Sequence, residues 1–273
     1  MLHTKDYAIV STRSSKGRYA LPGRVYTTQS GGTQLFQRLS IAKQSSTRDI
    51  LWLFIATRVV LIIITYIAYI LLTAPKYSST PVDVVALFTT WNRWDAANYV
   101  RIAQYGYEQR VDLAFFPLFP LLVSALGHVL GNWSYLLVGT LISNAALLGV
   151  LFLLYRLATD AFDALTAQRT LLYMCIFPTA LFFFAAYNES LYLLFTIGAF
   201  LALRRQRWWL AGLLGLLASL TRSVGILFVI PYLYELWVAR EQVLANVRSM
   251  AFSVLPIVLI PLGTALYGIY CWI

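Results

Sequence analysis

One apolar stretch near the start of the chain decides its class. Residues 50–73 read ILWLFIATRVVLIIITYIAYILLT, and Arg58 is their one charged residue. A helix crosses the hydrocarbon core of a membrane with about 20 apolar residues, so this stretch predicts a transmembrane helix. It is rich in Leu and Ile without alternating polarity, which favours a helix over a β-barrel strand. Further apolar blocks of this kind follow at about 115–130, 134–155, 170–187, 190–203, 208–221, 223–238 and 249–272.

These blocks predict a polytopic all-α membrane protein, and the composition agrees. Of 273 residues, 60% are hydrophobic and 12% are charged, and the mean hydropathy is +0.70, too apolar for a soluble domain. The net charge of +10 does not indicate a nucleic-acid partner. The basic residues cluster before the first block and at block ends, as at Arg204, Arg205 and Arg207, which is the positive-inside pattern. Cys175 and Cys271 lie in apolar stretches and are interpreted as small buried hydrophobic residues.

A polar segment rich in Ser, Thr, Gly and Arg occupies residues 1–48. We predict a disordered basic cytoplasmic tail at 1–48 and a transmembrane domain at 49–273. Arg58 lies near the cytoplasmic end of the first predicted span. Its long side chain is expected to snorkel to the lipid headgroups.

A polar loop, residues 74–114, separates the first span from the rest of the chain. It is charge-balanced, aromatic and too long for a simple connector. Two half-amphipathic stretches, 82–88 and 96–105, predict short helices that lie along the membrane interface. The loop therefore has structure of its own.

The block at 115–130 decides the predicted topology. It is short and opens with two prolines in Phe-Phe-Pro-Leu-Phe-Pro. If it crossed the membrane fully, the arginine cluster at 204–207 would lie outside, whereas a re-entrant segment keeps every strong basic cluster inside. We therefore predict that 115–130 is re-entrant and that 74–114, 187–190 and 221–222 lie on the outer face. Labelling of a cysteine at position 206 from the outside would contradict this topology.

Asp95 is the first candidate functional residue, in the run WNRWDAANY at 91–99. A carboxylate among tryptophans at the membrane boundary is expected to be partly desolvated, which makes it a better proton acceptor. The alternative is an ordinary helix N-cap within an interfacial aromatic belt, because Asp95 precedes a helix-like run. The residues alone leave both interpretations open.

Glu189 and Arg222 are the other candidates on the predicted outer face. Glu189 interrupts an apolar stretch that otherwise runs from 171 to 203, and an ionisable group at such depth usually faces a cavity or a partner. Arg222 carries a rigid guanidinium fork that suits phosphate oxygens. The alternatives are a polar hairpin turn for Glu189 and snorkelling to headgroups for Arg222.

The sequence lacks the motifs of several other kinds of catalytic or binding site. It contains no Gly-rich phosphate loop, no zinc-ligand spacing and no Ser-His-Asp arrangement, and His3 and His128 have no partners at ligand spacing. We expect no cofactor, no metal ion and no nucleotide-dependent soluble domain.

Three stretches resemble one family in order. They are Trp94-Asp95-x3-Tyr99-x2-Ile102-Ala103-x2-Gly106-Tyr107 followed by Ala114-Phe115-Phe116-Pro117-x-Phe119-Pro120-Leu121; Phe177-Pro178 with Ala186-Tyr187-x-Glu189-Ser190-Leu191; and Thr221-Arg222-Ser223-x-Gly225. They are similar to the GPI mannosyltransferase 2 (PIG-V-type) family, including its prokaryotic relatives. The resemblance covers about 91–240 and implies a polytopic GT-C-type glycosyltransferase fold with interfacial helices in its first outer loop. It also implies a polyprenyl-phosphate sugar donor, typically dolichyl-phosphate mannose in eukaryotic members, and a lipid or glycan acceptor.

This resemblance suggests a role for each candidate. Asp95 is the expected base for the acceptor hydroxyl. Arg222, with Arg93 as the alternate, is the expected cation for the leaving phosphate. Glu189 with Asn188 is expected to orient the sugar or to hold Arg222 in place. Flat surfaces for a sugar or prenyl chain are expected from three aromatic residues, Trp91, Trp94 and Tyr99.

Two other functions stay open at this point. A transporter or lipid flippase would use Glu189 and Arg222 as an intramembrane pair, although no repeat between the two halves is visible. The third possible function is that of a membrane subunit without catalytic activity. The chain stops at Ile273 directly after an apolar run, which suggests truncation. The resemblance favours a bacterial plasma membrane, or the endoplasmic reticulum membrane in a eukaryote.

Overall fold

A computed structural model describes residues 32–72, 88–130, 134–244 and 246–272, with side chains from Ser46 onward except that of Gln242. Within these ranges the regular elements are helices only, which confirms the all-α prediction. The eleven described α-helices are α1 Gly32–Leu72, α2 Asp95–Tyr105, α3 Leu118–Val129, α4 Tyr135–Ala161, α5 Ala164–Ile176, α6 Glu189–Leu203, α7 Trp208–Thr221, α8 Val229–Val238, α9 Arg240–Val243, α10 Val247–Val254 and α11 Leu259–Trp272. Short 3₁₀ helices lie at Arg110–Ala114, Pro178–Phe183, Ser223–Phe228 and Leu255–Val258.

The chain divides into two units, Met1–Gln44 and Ser45–Ile273. Helix α1 begins at Gly32, inside the segment predicted to be a tail. The tail prediction for 1–31 lies outside the described residues, and so does most of the first predicted interfacial helix at 82–88. The second interfacial helix is observed as α2, close to its predicted bounds.

Three described helical segments are long and apolar enough to cross a membrane: Ser46–Leu72, Tyr135–Ala161 and Val247–Trp272. The protein is therefore a multi-pass integral membrane protein. The 12 residues of α3 extend about 18 Å at 1.5 Å per residue, which is less than a hydrocarbon core of about 30 Å. That length suits a re-entrant segment. Because α6 and α7 have only 15 and 14 residues, length alone does not decide the crossing pattern, and the topology stays a prediction.

The apolar block at 170–187 is not one helix as the hydropathy suggests. Asp163 caps the N-terminus of α5 by accepting a hydrogen bond from the backbone N–H of Thr166 at 2.8 Å. The helix ends at Ile176, because Phe177 precedes Pro178 and a residue before proline disfavours helical backbone. The chain then forms a 3₁₀ turn and an irregular break before α6 begins at Glu189.

Helix α7 lies in the centre of the described domain, against α6 on one side and 255–272 on the other. Ala199 and Ala211 are fully buried where α6 and α7 meet. At Gly212 an added Cβ would lie 2.4 Å from the carbonyl oxygen of Pro256. Close backbone approach through small residues is typical of membrane helices. This packing holds the C-terminal end of α7, with Thr221 and Arg222, beside the N-terminal end of α6.

Candidate active site

Asp95 is the first residue of α2 and lies at the protein surface. The preceding Trp94 has a positive φ of 51°, which is uncommon outside glycine. The backbone N–H groups of Ala96 and Ala97 bond to the carbonyls of Arg93 and Trp94, which closes the first turn. The predicted partial desolvation of the Asp95 carboxylate is wrong, because its side chain is exposed and Trp94 is itself 71% exposed. The described residues thus leave the Asp95 side chain uncovered.

Tyr187 joins the start of α2 to the break before α6. Its hydroxyl donates to the backbone carbonyl of Arg93 at 3.1 Å, and its own carbonyl accepts from the Ser143 hydroxyl at 2.6 Å. Burial raises the pKa of Tyr187, and the nearby Asp95 charge adds to that rise. Asp95 is therefore within electrostatic reach of the Tyr187 phenol. The sequence motif contained Tyr187, but no role was predicted for it.

Arg222 is held by the two polar residues that precede and begin α6. Its Nη1 donates to Asn188 Oδ1 at 2.9 Å and also to Glu189 Oε1, which forms an ion pair. The Asn188 amide donates in turn to the carbonyl of Thr221 at 2.8 Å. The structure thus brings Asn188, Glu189 and Arg222 together, although 33 residues separate the two charges in sequence.

Part of this cluster has no partner within the described residues. Glu189 Oε2 is buried and makes no hydrogen bond there. Of the Arg222 nitrogens, only Nη1 donates to described residues, and the side chain is 37% exposed. A held guanidinium whose other N–H groups have no partner among the described residues suits an anionic oxygen ligand.

Tyr99 lies on α2, four residues after Asp95. It is buried, and burial is the main cause that raises the pKa of its phenol. Glu189 raises that pKa further, Arg222 lowers it, and Asp95 raises it. The contacts that connect the two parts of the site run through Tyr187, which bonds to the Arg93 carbonyl and directly precedes Asn188 and Glu189. No hydrogen bond or ion pair joins Asp95 to Glu189 or Arg222 among the described residues.

The three aromatic residues predicted as flat surfaces differ in availability. The Tyr99 ring is enclosed by edge contacts to Phe115 and Phe119, with centroids 5.0 and 5.1 Å away, so it offers no open face and that prediction is wrong. The Trp91 ring packs on Phe184 at 4.7 Å. Only Trp94 among the three is largely exposed. The Arg93 side chain is also exposed, and its role as the alternate cation stays a prediction.

Arg58 does not snorkel, which corrects the expectation from its position. The residue is 7% exposed and donates to Asn144 Oδ1 at 3.3 Å and to the Phe183 carbonyl at 3.5 Å. The Asn144 amide donates to the Phe184 carbonyl at 2.7 Å. Because Asn144 on α4 and the Phe183 carbonyl accept hydrogen bonds from the guanidinium, Arg58 remains buried within the protein. Arg58 and Asn144 thereby fix the segment that leads to Asn188.

A buried ion pair in the loop before α3 was not predicted. Asp112 is fully buried and accepts two hydrogen bonds from the guanidinium of Arg101 on α2, one of them 3.0 Å long. The backbone N–H of Gln109 donates to it at 2.9 Å. The Arg101 guanidinium is the main cause that holds the pKa of Asp112 below its ordinary value of 3.8. The alternating charges of the loop were a usable signal, but they did not identify the partners.

Low pH is expected to weaken the ion pair between Asp112 and Arg101 and so to destabilise this loop. Because the pKa of Asp112 is lowered in the folded protein, its stabilising contribution is complete above about pH 4 and is lost as the pH falls further. The Asp112→Asn variant should have a lower thermal midpoint at neutral pH and a smaller further loss on acidification. Thermal unfolding between pH 3 and 7 measures this.

Asp163→Asn is the matched control for that experiment. The pKa of Asp163 is also lowered, chiefly by the backbone N–H of Thr166, but Asp163 lies at the cap of α5 and outside the loop. The control should keep the part of the acid response that belongs to Asp112. Equal acid responses in wild type and Asp112→Asn would contradict the assignment.

An apolar cavity of about 450 Å³ lies between α2, α3, α7 and α11. Its lining includes Ile102, Pro120, Leu220, Leu266 and Tyr267. Leu220 lies near the end of α7, the helix that Arg222 follows, but Asp95, Glu189 and Arg222 do not line this cavity. No group of three His, Cys, Asp or Glu side chains suitable for a metal ion occurs in the described part of the chain.

Comparison with known proteins identifies the family. The family model described as Mannosyltransferase (PIG-V) matches residues 41–272, which is most of the chain. The chain belongs to this PIG-V mannosyltransferase family, and the family resemblance seen in the sequence is confirmed. No solved structure matches the chain.

Three relatives show how far the similarity extends. GPI alpha-1,6-mannosyltransferase 2 of Rattus norvegicus is 32% identical over 69% of this chain and 42% of the relative. The Homo sapiens protein of the same name is 33% identical over 50% of this chain and 30% of its own length. GPI mannosyltransferase 2 of Schizosaccharomyces pombe is 30% identical over 53% and 32%. The chain thus spans less than half the length of these curated relatives.

Proposed function

We propose that this protein transfers a mannosyl unit from a polyprenyl-phosphate carrier to an acceptor on the extracytoplasmic side of the membrane. The observation that carries the proposal is the held Arg222, whose Nη1 donates to Asn188 and Glu189 while its other nitrogens donate to no described residue. Family membership supports the sugar as mannose. The carrier, the side of the membrane and the GT-C-type fold are parts of the proposal.

The leaving group explains the need for a fixed cation. When the bond between the anomeric carbon and the phosphate oxygen breaks, polyprenyl phosphate departs with that electron pair and gains negative charge. A preorganised guanidinium stabilises such charge without reorganising during the reaction. Glu189 and Asn188 supply that preorganisation because each accepts a hydrogen bond from Arg222 Nη1.

The incoming acceptor needs a base. Its hydroxyl oxygen forms the new bond to the anomeric carbon, and its proton passes to a carboxylate. Asp95 is the proposed base because it is exposed at the start of α2 and lies two residues after Arg93, whose carbonyl bonds to Tyr187 beside Asn188 and Glu189. The proton on Asp95 is then released to water.

The lipid part of the donor needs an apolar surface near the phosphate. The candidate surface is the cavity of about 450 Å³, whose lining includes Tyr267 and also Leu220 near the end of α7. The proposal places the first prenyl units of the carrier in that cavity and the phosphate at Arg222. No nucleotide site is required, because the carrier itself stays in the membrane.

The acceptor is proposed from the relatives alone. The names of the matched mammalian proteins specify an α-1,6-mannosyltransferase of GPI synthesis, so a GPI precursor is the acceptor to test first. Other lipid or glycan acceptors are to be tested beside it. Location in a bacterial plasma membrane or in the endoplasmic reticulum membrane stays a prediction.

The function is tested with purified protein in proteoliposomes that contain labelled polyprenyl-phosphate mannose. The proposal requires a labelled, mannosylated acceptor from this donor and none from a nucleotide sugar. Movement of the intact labelled lipid across the bilayer without product would support the flippase alternative. Neither product nor movement, from protein shown to be folded, would contradict both and leave the silent-subunit reading.

Arg222→Lys should weaken donor use about tenfold or more, seen as a raised KM for the lipid donor. Lysine keeps the charge but loses the fork, and a hydrogen bond to a charged group contributes about 1.5–3 kcal/mol. Arg93→Lys is the matched control, since Arg93 is exposed on the same face. If Arg93→Lys raises KM and Arg222→Lys does not, the phosphate role belongs to Arg93.

A further inference from the structure

A second cavity lies at the other end of the α6–α7 pair. It has a volume of about 310 Å³ and lies between α4, α6 and α7. Its apolar lining includes Leu153, Leu194, Phe195 and Leu214, and Gly198 leaves room between them. Its lining on α6 begins at Leu194, about 8 Å along the helix from Glu189, and continues to the far end of α6, about 22 Å away; Asn188, Glu189 and Arg222 do not line it.

Three arginines line the same cavity: Arg156 near the end of α4, and Arg205 and Arg207 in the turn between α6 and α7. The turn is tight, because the backbone N–H groups of both turn arginines bond to the carbonyl of Ala202, at 3.1 and 2.9 Å. Gln206 between them has a positive φ of 54°. The fold therefore brings the two guanidinium-bearing residues to one edge of the cavity.

These arginines have no counter-charge at the cavity. All three are exposed, and none forms an ion pair or a side-chain hydrogen bond within the described ranges. No carboxylate lines the cavity. Three like charges at one edge repel one another unless an anion lies between them. The site thus has the charge pattern of an anion site.

The apolar lining of the cavity indicates which kind of anion would bind there. A free phosphate or a nucleotide gains nothing from Leu194 and Leu214, whereas a phospholipid places its phosphate at the arginines and an acyl chain on the apolar floor. Guanidinium groups bind phosphate oxygens through paired N–H donors. The floor lies between α4, which is long and apolar enough to cross a membrane, and the shorter apolar helices α6 and α7, so an acyl chain is a suitable neighbour.

We propose that the α4–α6–α7 groove binds one anionic phospholipid, with its phosphate between Arg156, Arg205 and Arg207 and an acyl chain over Leu194 and Leu214. The bound lipid would neutralise the turn and hold the ends of α4, α6 and α7 together. This proposal is independent of the proposed sugar transfer, because it rests on different residues, with the arginines beyond the far end of α6 or near the end of α4.

The test is thermal unfolding of the purified full chain with added phosphatidylglycerol, phosphatidylcholine or inorganic phosphate. Phosphatidylglycerol should raise the wild-type midpoint by several degrees, and the other two should not. The triple variant R156Q/R205Q/R207Q should lose this shift. The control triple R110Q/R169Q/R248Q removes the same charge from exposed arginines that do not line the groove, and it should keep the shift.

A second variant tests the apolar part with the arginines intact. Leu210 lines the groove and is 42% exposed, so Leu210→Trp fills space there without burying a polar group. It should reduce the shift produced by phosphatidylglycerol and the amount of lipid retained in native mass spectrometry. Equal loss in both arginine triples would show bulk charge attraction and overturn the proposal. An equal shift with inorganic phosphate, or an unchanged shift in Leu210→Trp, would also overturn it.

Discussion

Asp95→Asn is expected to lower the rate of mannosyl transfer by about 10²–10⁴-fold, the usual contribution of a general base. Asparagine has nearly the same shape but cannot take the proton of the acceptor hydroxyl. Asp95 is exposed and no described contact depends on its carboxylate, so expression, insertion and thermal midpoint should match wild type. Initial rates at saturating donor and acceptor measure the effect, which should be in kcat.

Glu108→Gln is the matched control for Asp95→Asn. Glu108 is an exposed carboxylate of the same loop, beyond the end of α2, and it has no place in the proposed mechanism. It should retain wild-type transfer. Wild-type rates in Asp95→Asn would remove Asp95 as the base and leave Glu189 as the nearest remaining carboxylate of the site.

Gly225→Ala should disable the site through the backbone. A Cβ at Gly225 would lie 2.5 Å from the carbonyl carbon and oxygen of Ala218 and from the backbone nitrogen of Ser219. These are main-chain atoms of α7, so no side chain can move aside. Overpacking of this kind costs about 1–3 kcal/mol. The relief has to come from the segment that carries Arg222, whose own N–H bonds to Ala218 at 3.0 Å.

Donor affinity should therefore fall together with the thermal midpoint in Gly225→Ala. Gly268→Ala is the matched control, because a Cβ there on α11 meets nothing within 4 Å. It should leave both quantities near wild type. If the two variants behave alike, the close packing of Gly225 on α7 does not hold Arg222.

Hydropathy predicted that this is a membrane protein, because a run of about 20 consecutive apolar residues is typical of a transmembrane helix. It failed at 170–187, where Pro178 ends α5 although the block stays apolar. It also failed at Arg58. An arginine in an apolar helix snorkels or finds polar partners inside, and only the position of Asn144 on α4 decides between these outcomes.

The site was predicted in parts and assembled only by the fold. Glu189 and Arg222 stood out because charges are costly in apolar stretches, and the structure pairs them. Tyr99 was predicted to be an open surface, but Phe115 and Phe119 enclose its ring. Ring enclosure depends on the packing of α2 against the segment before α3 and on α3 itself. Sequence spacing does not report that packing.

The polar loop of residues 74–114 shows the same division. Its sequence alone determined that it is not a span and that it carries Asp95, because both follow from local polarity. Only the tertiary structure decided that Asp112 is buried on Arg101, that Asp95 is exposed, and that Tyr187 joins the loop to Asn188 and Glu189. Hydrophobicity acts along the chain and is readable from it. Hydrogen bonds between segments depend on which helices become neighbours, and that is settled only when the helices pack.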